Sequence, residues 1–168
     1  FISLLAVAAL AACTKSEVAY EAPAEIGFNV VAGNMTKAVV DGETYPTDLN
    51  MYIYAWTEGS TVEAANYIAN GEFEYRKAIN GTNVWGGVTP YYWPNVNKLY
   101  FAGYSASGNA STNSSYNCKT DVLTIADYTP GMTGDNDLMW FPKTADSYGK
   151  STEFVPVDMY HTCAWITF

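Results

Sequence analysis

The side chains able to do covalent or ligand chemistry in this 168-residue chain are few and scattered. The single histidine, His161, lies between two strand-like runs. Nucleophilic catalysis needs a base within reach of a Ser or Cys, and no Gly-x-Ser-x-Gly elbow is present. His161 therefore reads as a core or edge residue held by backbone hydrogen bonds. Carboxylates occur in close pairs, Glu72 with Glu74 and Asp135 with Asp137. Glycosidase chemistry places two carboxyls at a fixed separation across a cleft. Glu72 and Glu74 alternate with aromatic residues, so on a strand they share the solvent face and keep it wet. The run Gly131 to Asp137 offers oxygen donors, but calcium takes six to eight of them and the EF-hand pattern is missing. A turn before a strand is the simpler reading. One histidine and no Cys-x-x-Cys spacing make a poor zinc site. We expect no enzyme, no metal and no cofactor. The stripe Tyr91-Tyr92-Trp93-Pro94 has two readings. Its rings form a stacking platform for sugars, or they fill one end of an apolar core, which bulky aromatics beside a proline favour.

The three cysteines have different settings. Phe1 to Ala12 is an apolar run too short to span a bilayer, which takes about 20 residues. It has the length and small-residue exit of a signal-peptide core. Leu10-Ala11-Ala12-Cys13 resembles the lipobox of bacterial lipoproteins. That resemblance implies cleavage before Cys13, acylation of its thiol and new amine, and an address at the cell outer membrane. Cys118 and Cys163 form a disulfide in an oxidising compartment, or remain two thiols with Cys163 buried on a strand. The chain starts at Phe1 without an initiator Met or basic n-region, and stops inside the strand-like run Cys163 to Phe168. Sequence missing at both ends is the expectation.

Composition narrows the class. Hydrophobic residues make up 49% and charged residues 15%, which argues against a disordered chain. Aromatics, also 15% and led by 14 Tyr, suit pleated, half-buried surfaces. The net charge of −9, with eight Lys plus Arg, weighs against nucleic acid, because phosphate binding rests on clustered cations. No nucleic acid partner is expected.

These residues need strands to position them. Ile26 to Ala32 alternates, with Ile26, Phe28, Val30 and Ala32 on one face. Met51 to Trp56 is apolar on both faces, as a strand covered on both sides would be. Glu72 to Ala78 alternates, and Asn80-Gly81 turns it back into a partner over Thr82 to Trp85. Further strands are predicted over Lys98 to Tyr104, Asp121 to Ile125, Asp137 to Phe141, Glu153 to Tyr160 and Cys163 to Phe168. Pro156 points to an edge or a bulge. Ser105 to Asn117 reads as a long surface loop, and Glu63 to Ile68 as one short helical turn. Many short strands with Gly, Asn and Pro punctuation predict an all-β fold, a β-sandwich or barrel.

Taken in order, these segments resemble the fimbrillin family, the subunits of type V pili. The matching elements are Cys13, the strand Ile26 to Ala32, Thr36-Lys37-Ala38, Tyr54-Ala55-Trp56, Tyr91-Tyr92-Trp93-Pro94, Leu99 to Ser105, Asp137-Leu138-Met139-Trp140, and Val155 running into His161. The resemblance implies a transthyretin-like β-sandwich, here the N-terminal one of two. Residues 1–12 would be a partial signal peptide, 13–25 a lipidated tether and 26–168 the sandwich domain. It also implies assembly by strand exchange: a protease cuts after a basic residue, the first strand leaves, and a strand from another fimbrial subunit fills the groove. Mapped onto this chain, Lys37 is the cleavage point, and Ile26, Phe28 and Val30 are the groove-filling side chains of the removable strand. Lys37 stands where the family has Arg, so an uncut, anchored accessory role follows if the protease is Arg-specific. Partners implied are other fimbrial subunits, the outer membrane through the lipid, and host or bacterial surface ligands in cell adhesion. The rival reading is an outer-membrane glycan-binding lipoprotein that uses Tyr91, Tyr92 and Trp93. A secreted hydrolase is the weakest of the three.

Overall fold

The computed structural model describes residues 23–32, 47–77, 81, 83–105, 113–126, 128 and 138–162. Among them the chain is all-β, with nine strands and no helix. The strands are β1 (Gly27–Ala32), β2 (Met51–Thr57), β3 (Ile68–Lys77), β4 (Asn83–Gly87), β5 (Leu99–Ser105), β6 (Ser114–Asn117), β7 (Val122–Ile125), β8 (Met139–Phe141) and β9 (Val155–His161). Seven of them close a hydrogen-bonded ring in the order β1-β4-β3-β2-β5-β8-β9, and β6 pairs with β7 in a separate two-stranded sheet.

Closure depends on β1. It runs antiparallel to β4, with Gly27 opposite Gly86 and Phe28 opposite Trp85. On its other side it runs parallel to β9, from Phe28 opposite Val155 to Ala32 opposite Met159. The remaining neighbours are antiparallel.

Alternation along each ring strand sends one face inward. Ile26, Phe28, Val30, Met51, Ile53, Phe73, Leu99, Phe101, Met139, Phe141, Val155, Val157 and Met159 form the inner core. Burial of such side chains stabilises by about 1.5–3 kcal/mol each before ordering costs. A second cluster lies outside β2 and β5, where Tyr54, Trp56, Ala102 and Tyr104 meet Tyr116 and Cys118. This second layer explains why Met51 to Trp56 is apolar on both faces. Met51, Ile53 and Ala55 face the inner core, while Tyr54 and Trp56 face the β6–β7 hairpin.

Two local expectations give way. Glu63 to Ile68 forms no helical turn: Ala64 makes a bridge to Asn117, and β3 already begins at Ile68. Within the stretch read as a loop, Ser114 to Asn117 is a strand, because Tyr116 covers the rings of Tyr54 and Trp56. Its Ser and Asn composition hid a single buried aromatic. The other strands predicted within the described residues lie close to their predicted positions, although β3 begins at Ile68 rather than Glu72; the strand predicted over Cys163 to Phe168 lies outside the described residues. The β3–β4 hairpin pairs Lys77 with Asn83, and Gly81 between them has φ +83°, a conformation that favours glycine. Pro156 sits opposite Asn29, in the part of β9 that β8 does not reach. With a neighbour on one side only, the missing N–H is tolerated there.

Candidate functional site

The most distinctive site is the berth of β1. Ile26 and Phe28 are fully buried and Val30 is 7% exposed, while Asn29 points to solvent. Phe28 is the hub. Its ring lies edge-on to Phe73 at 5.1 Å and to Phe101 at 5.2 Å, with Phe141 at 6.4 Å. Edge-to-face pairs add about 0.5–1.5 kcal/mol beyond area burial. Gly27 is enclosed as well, since a Cβ there would meet the Phe154 ring at 3.2 Å.

The segment just ahead of β1 belongs to the same berth. Ile26 N–H donates to the Tyr91 carbonyl at 2.8 Å and Trp93 N–H to the Ala24 carbonyl at 2.9 Å. Between them Glu25 bridges Tyr92. The Glu25 carboxylate pairs with the Arg76 guanidinium on β3. The strand predicted to begin at Ile26 is therefore tied down from Ala24.

This placement decides what the Tyr91-Tyr92-Trp93 stripe offers. The three rings form no common exposed face. Trp93 is 4% exposed and meets Phe101 edge-on at 5.8 Å, and Tyr91 stacks on Phe73 at 5.7 Å. Tyr92 is the exposed one, at 41%. The backbone of the stripe serves as a partner for residues 24–26.

The remaining chemistry-bearing residues stand apart from one another. Glu72 and Glu74 are both exposed, and Glu72 accepts from the Asn50 amide at 2.7 Å. His161 ends β9 opposite Met139. Cys118 is a free, buried thiol, pushed up to about 11 by burial and then by the charge of Asp121. Such a thiol stays protonated at neutral pH and is a weak nucleophile. Among the described residues no group of three or more His, Cys, Asp or Glu is placed to hold a metal. Cys13, Lys37, Asp135, Asp137 and Cys163 lie outside the described residues.

Sequence reasoning missed a polar network over the outer cluster. Ser114 Oγ lies 2.8 Å from the Tyr54 hydroxyl and 2.6 Å from that of Tyr104, and it donates to Asn70 Oδ1 at 3.0 Å. Tyr104 also donates to Asn70 Oδ1 at 3.0 Å. Burial raises both tyrosines, with Tyr104 reaching about 12, although hydrogen bonds to Ser114 oppose the shift. Tyr116 is raised for the same first reason, with Asp121 adding to it. Asn70 has φ 56°, which asparagine tolerates better than most residues. The visible signal was Tyr52, Tyr54 and Trp56 at alternate positions of β2, with Tyr100 and Tyr104 on the matching face of β5. Beyond this cluster an apolar groove of about 420 Å³ opens, lined by Leu123, Ile125, Leu138 and Trp140 among others.

Among the described residues the fold is an all-β ring that β1 completes between β4 and β9. The chain belongs to the fimbrillin-like family, whose model matches residues 36–168. The match begins four residues beyond the end of β1. Membership places the chain among fimbrial subunits at the cell surface. No curated protein and no solved structure matches it.

Proposed function

We propose that the chain is a structural subunit of a fimbria, or an anchored accessory to one, and that it joins other subunits by exchange of β1. One observation carries the reading: β1 closes the ring and fills the inner core at the same time. Its departure leaves β4 and β9 as two unpaired edges flanking a groove that Ile26, Phe28 and Val30 had filled. Main-chain groups on those edges supply hydrogen bonds to an incoming strand, and the emptied pockets supply side-chain preference. While β1 is resident it covers both edges, which blocks premature association.

On this reading the ring is a transthyretin-like sandwich closed at its edges. Lys37 lies five residues beyond the end of β1 in sequence, so a cut there detaches Cys13 and β1 together. Acylated Cys13 would hold the precursor at the outer membrane, and adhesion would be a property of the assembled fibre. Without the cut, the lipid keeps the subunit anchored. The rival reading, glycan binding by Tyr91, Tyr92 and Trp93, is disfavoured by the burial of Trp93.

Mass spectrometry of subunits recovered from purified fibres tests the proposal. Shaft subunits should lack residues 24–32, with a new N-terminus following Lys37. Fibres whose subunits all retain Phe28 in its original chain would overturn it.

A further inference from the structure

Arg76 is a residue of β3, yet its charge serves the segment that leaves with β1. β4 lies between them, and Arg76 crosses it at Gly86. A Cβ at position 86 would sit 2.5 Å from Arg76 Nε, so the guanidinium lies in the space that a larger residue there would claim. Beyond Gly86 it pairs with Glu25. The pair is partly sheltered, with side-chain exposures of 31% for Arg76 and 16% for Glu25. Arg76 Nε is buried with no hydrogen-bond partner among the described residues. Glu74 shares the outward face of β3 with Arg76, but the guanidinium reaches past it to Glu25.

A guanidinium cannot shed its proton, so losing Glu25 leaves a half-sheltered cation without its counter-charge. Removing one partner of a sheltered ion pair costs far more than the pair itself contributes. We infer that Arg76 selects the strand that replaces β1: the incoming segment from another subunit carries an Asp or Glu at the register of Glu25, three positions ahead of the residue that takes the place of Phe28. The inference rests on the strand-exchange reading and adds a charge requirement to it. In this chain the pattern is Glu25-Ile26-x-Phe28-x-Val30: one acid, then three apolar residues on one face.

The test uses the full chain with a sequence-specific protease site inserted after Lys37, cut while folded. Two fluorescent peptides spanning residues 23–32 are added, one native and one carrying Glu25→Gln, and their uptake is followed by anisotropy. The native peptide should enter about tenfold more tightly, the size expected for one sheltered charge pair. In an Arg76→Gln body the preference should vanish. Equal uptake of the two peptides by the unmutated body would overturn the role of Arg76 while leaving strand exchange standing, as when Glu74 takes over the cation. Entry of neither peptide would overturn strand exchange and the inference with it. The comparison of peptides on the unmutated body decides the matter even if the Arg76 variant fails to fold.

Discussion

The two apolar clusters of this domain are built from different residues, and the difference separates what leaves from what stays. The inner core is held by phenylalanines. Phe28, Phe73, Phe101 and Phe141 meet at edges and angles, without a polar atom in the rings. The outer cluster is held by tyrosines and Trp56. Its rings stack, Tyr52 on Tyr104 at 5.2 Å and Tyr54 on Tyr116 at 5.7 Å, and Ser114 ties the hydroxyls of Tyr54 and Tyr104 together. Dispersion and area burial ask only for the right shape, so any strand with suitable side chains is able to refill the inner core. Directed hydrogen bonds between specific partners ask for those partners. The inner core suits exchange, and the outer cluster suits a permanent clasp of the β6–β7 hairpin on β2 and β5.

Phe28→Ala should break the inner core most severely, at about 3–5 kcal/mol of unfolding free energy. Chemical denaturation measures it, and Phe28→Asp should lower the melting temperature further still. Unchanged stability would show that β1 is not part of the folded core. Ser114→Ala attacks the other cluster. It takes away the partner of the Tyr54 hydroxyl while Tyr104 keeps Asn70, so the expected loss is about 1–3 kcal/mol. Adding the Ser114 change to Phe28→Ala should give a sum, because the clusters lie on opposite faces of β2 and β5; strong coupling would merge them into one unit.

Alkali should distinguish the clusters again. Tyr104 titrates near 12 in the folded state against an ordinary value near 10, so its folded-state value is raised. Its contribution is whole below pH 10 and is lost as pH rises from 10 towards 12. Near-ultraviolet absorbance should show tyrosinate forming late, with loss of the outer cluster, and Ser114→Ala should move that transition. The smallest effect concerns Cys118. Its thiol should resist alkylation at pH 8 in the folded chain and react once the chain is unfolded, read by site-resolved mass spectrometry.

How much of this was legible in the sequence depended on the range of the signal. Period-two alternation marked β1 and β3, because one face of each meets the core. Unbroken apolarity marked β2 correctly as covered on both sides, though not by what. The cover was the β6–β7 hairpin, half of it hidden in a Ser- and Asn-rich stretch. Composition there described the solvent face and missed Tyr116. Ring closure was illegible, since nothing local to Gly27–Ala32 states that β9, over a hundred residues later, lies parallel to it. The Glu25–Arg76 pair escaped for the same reason. Gly86 and Gly87 at the end of a strand were its one trace, since glycine inside a strand marks a close approach.

Strand exchange requires that β1 be a removable part of a stable body. Cutting the folded full chain after Lys37 and following two signals together tests this most directly: release of the residues 24–32 peptide by mass spectrometry, and polymer growth by light scattering. The two should rise together, and added peptide of residues 23–32 should suppress growth. Polymers that grow with β1 still seated in its own chain would contradict strand exchange.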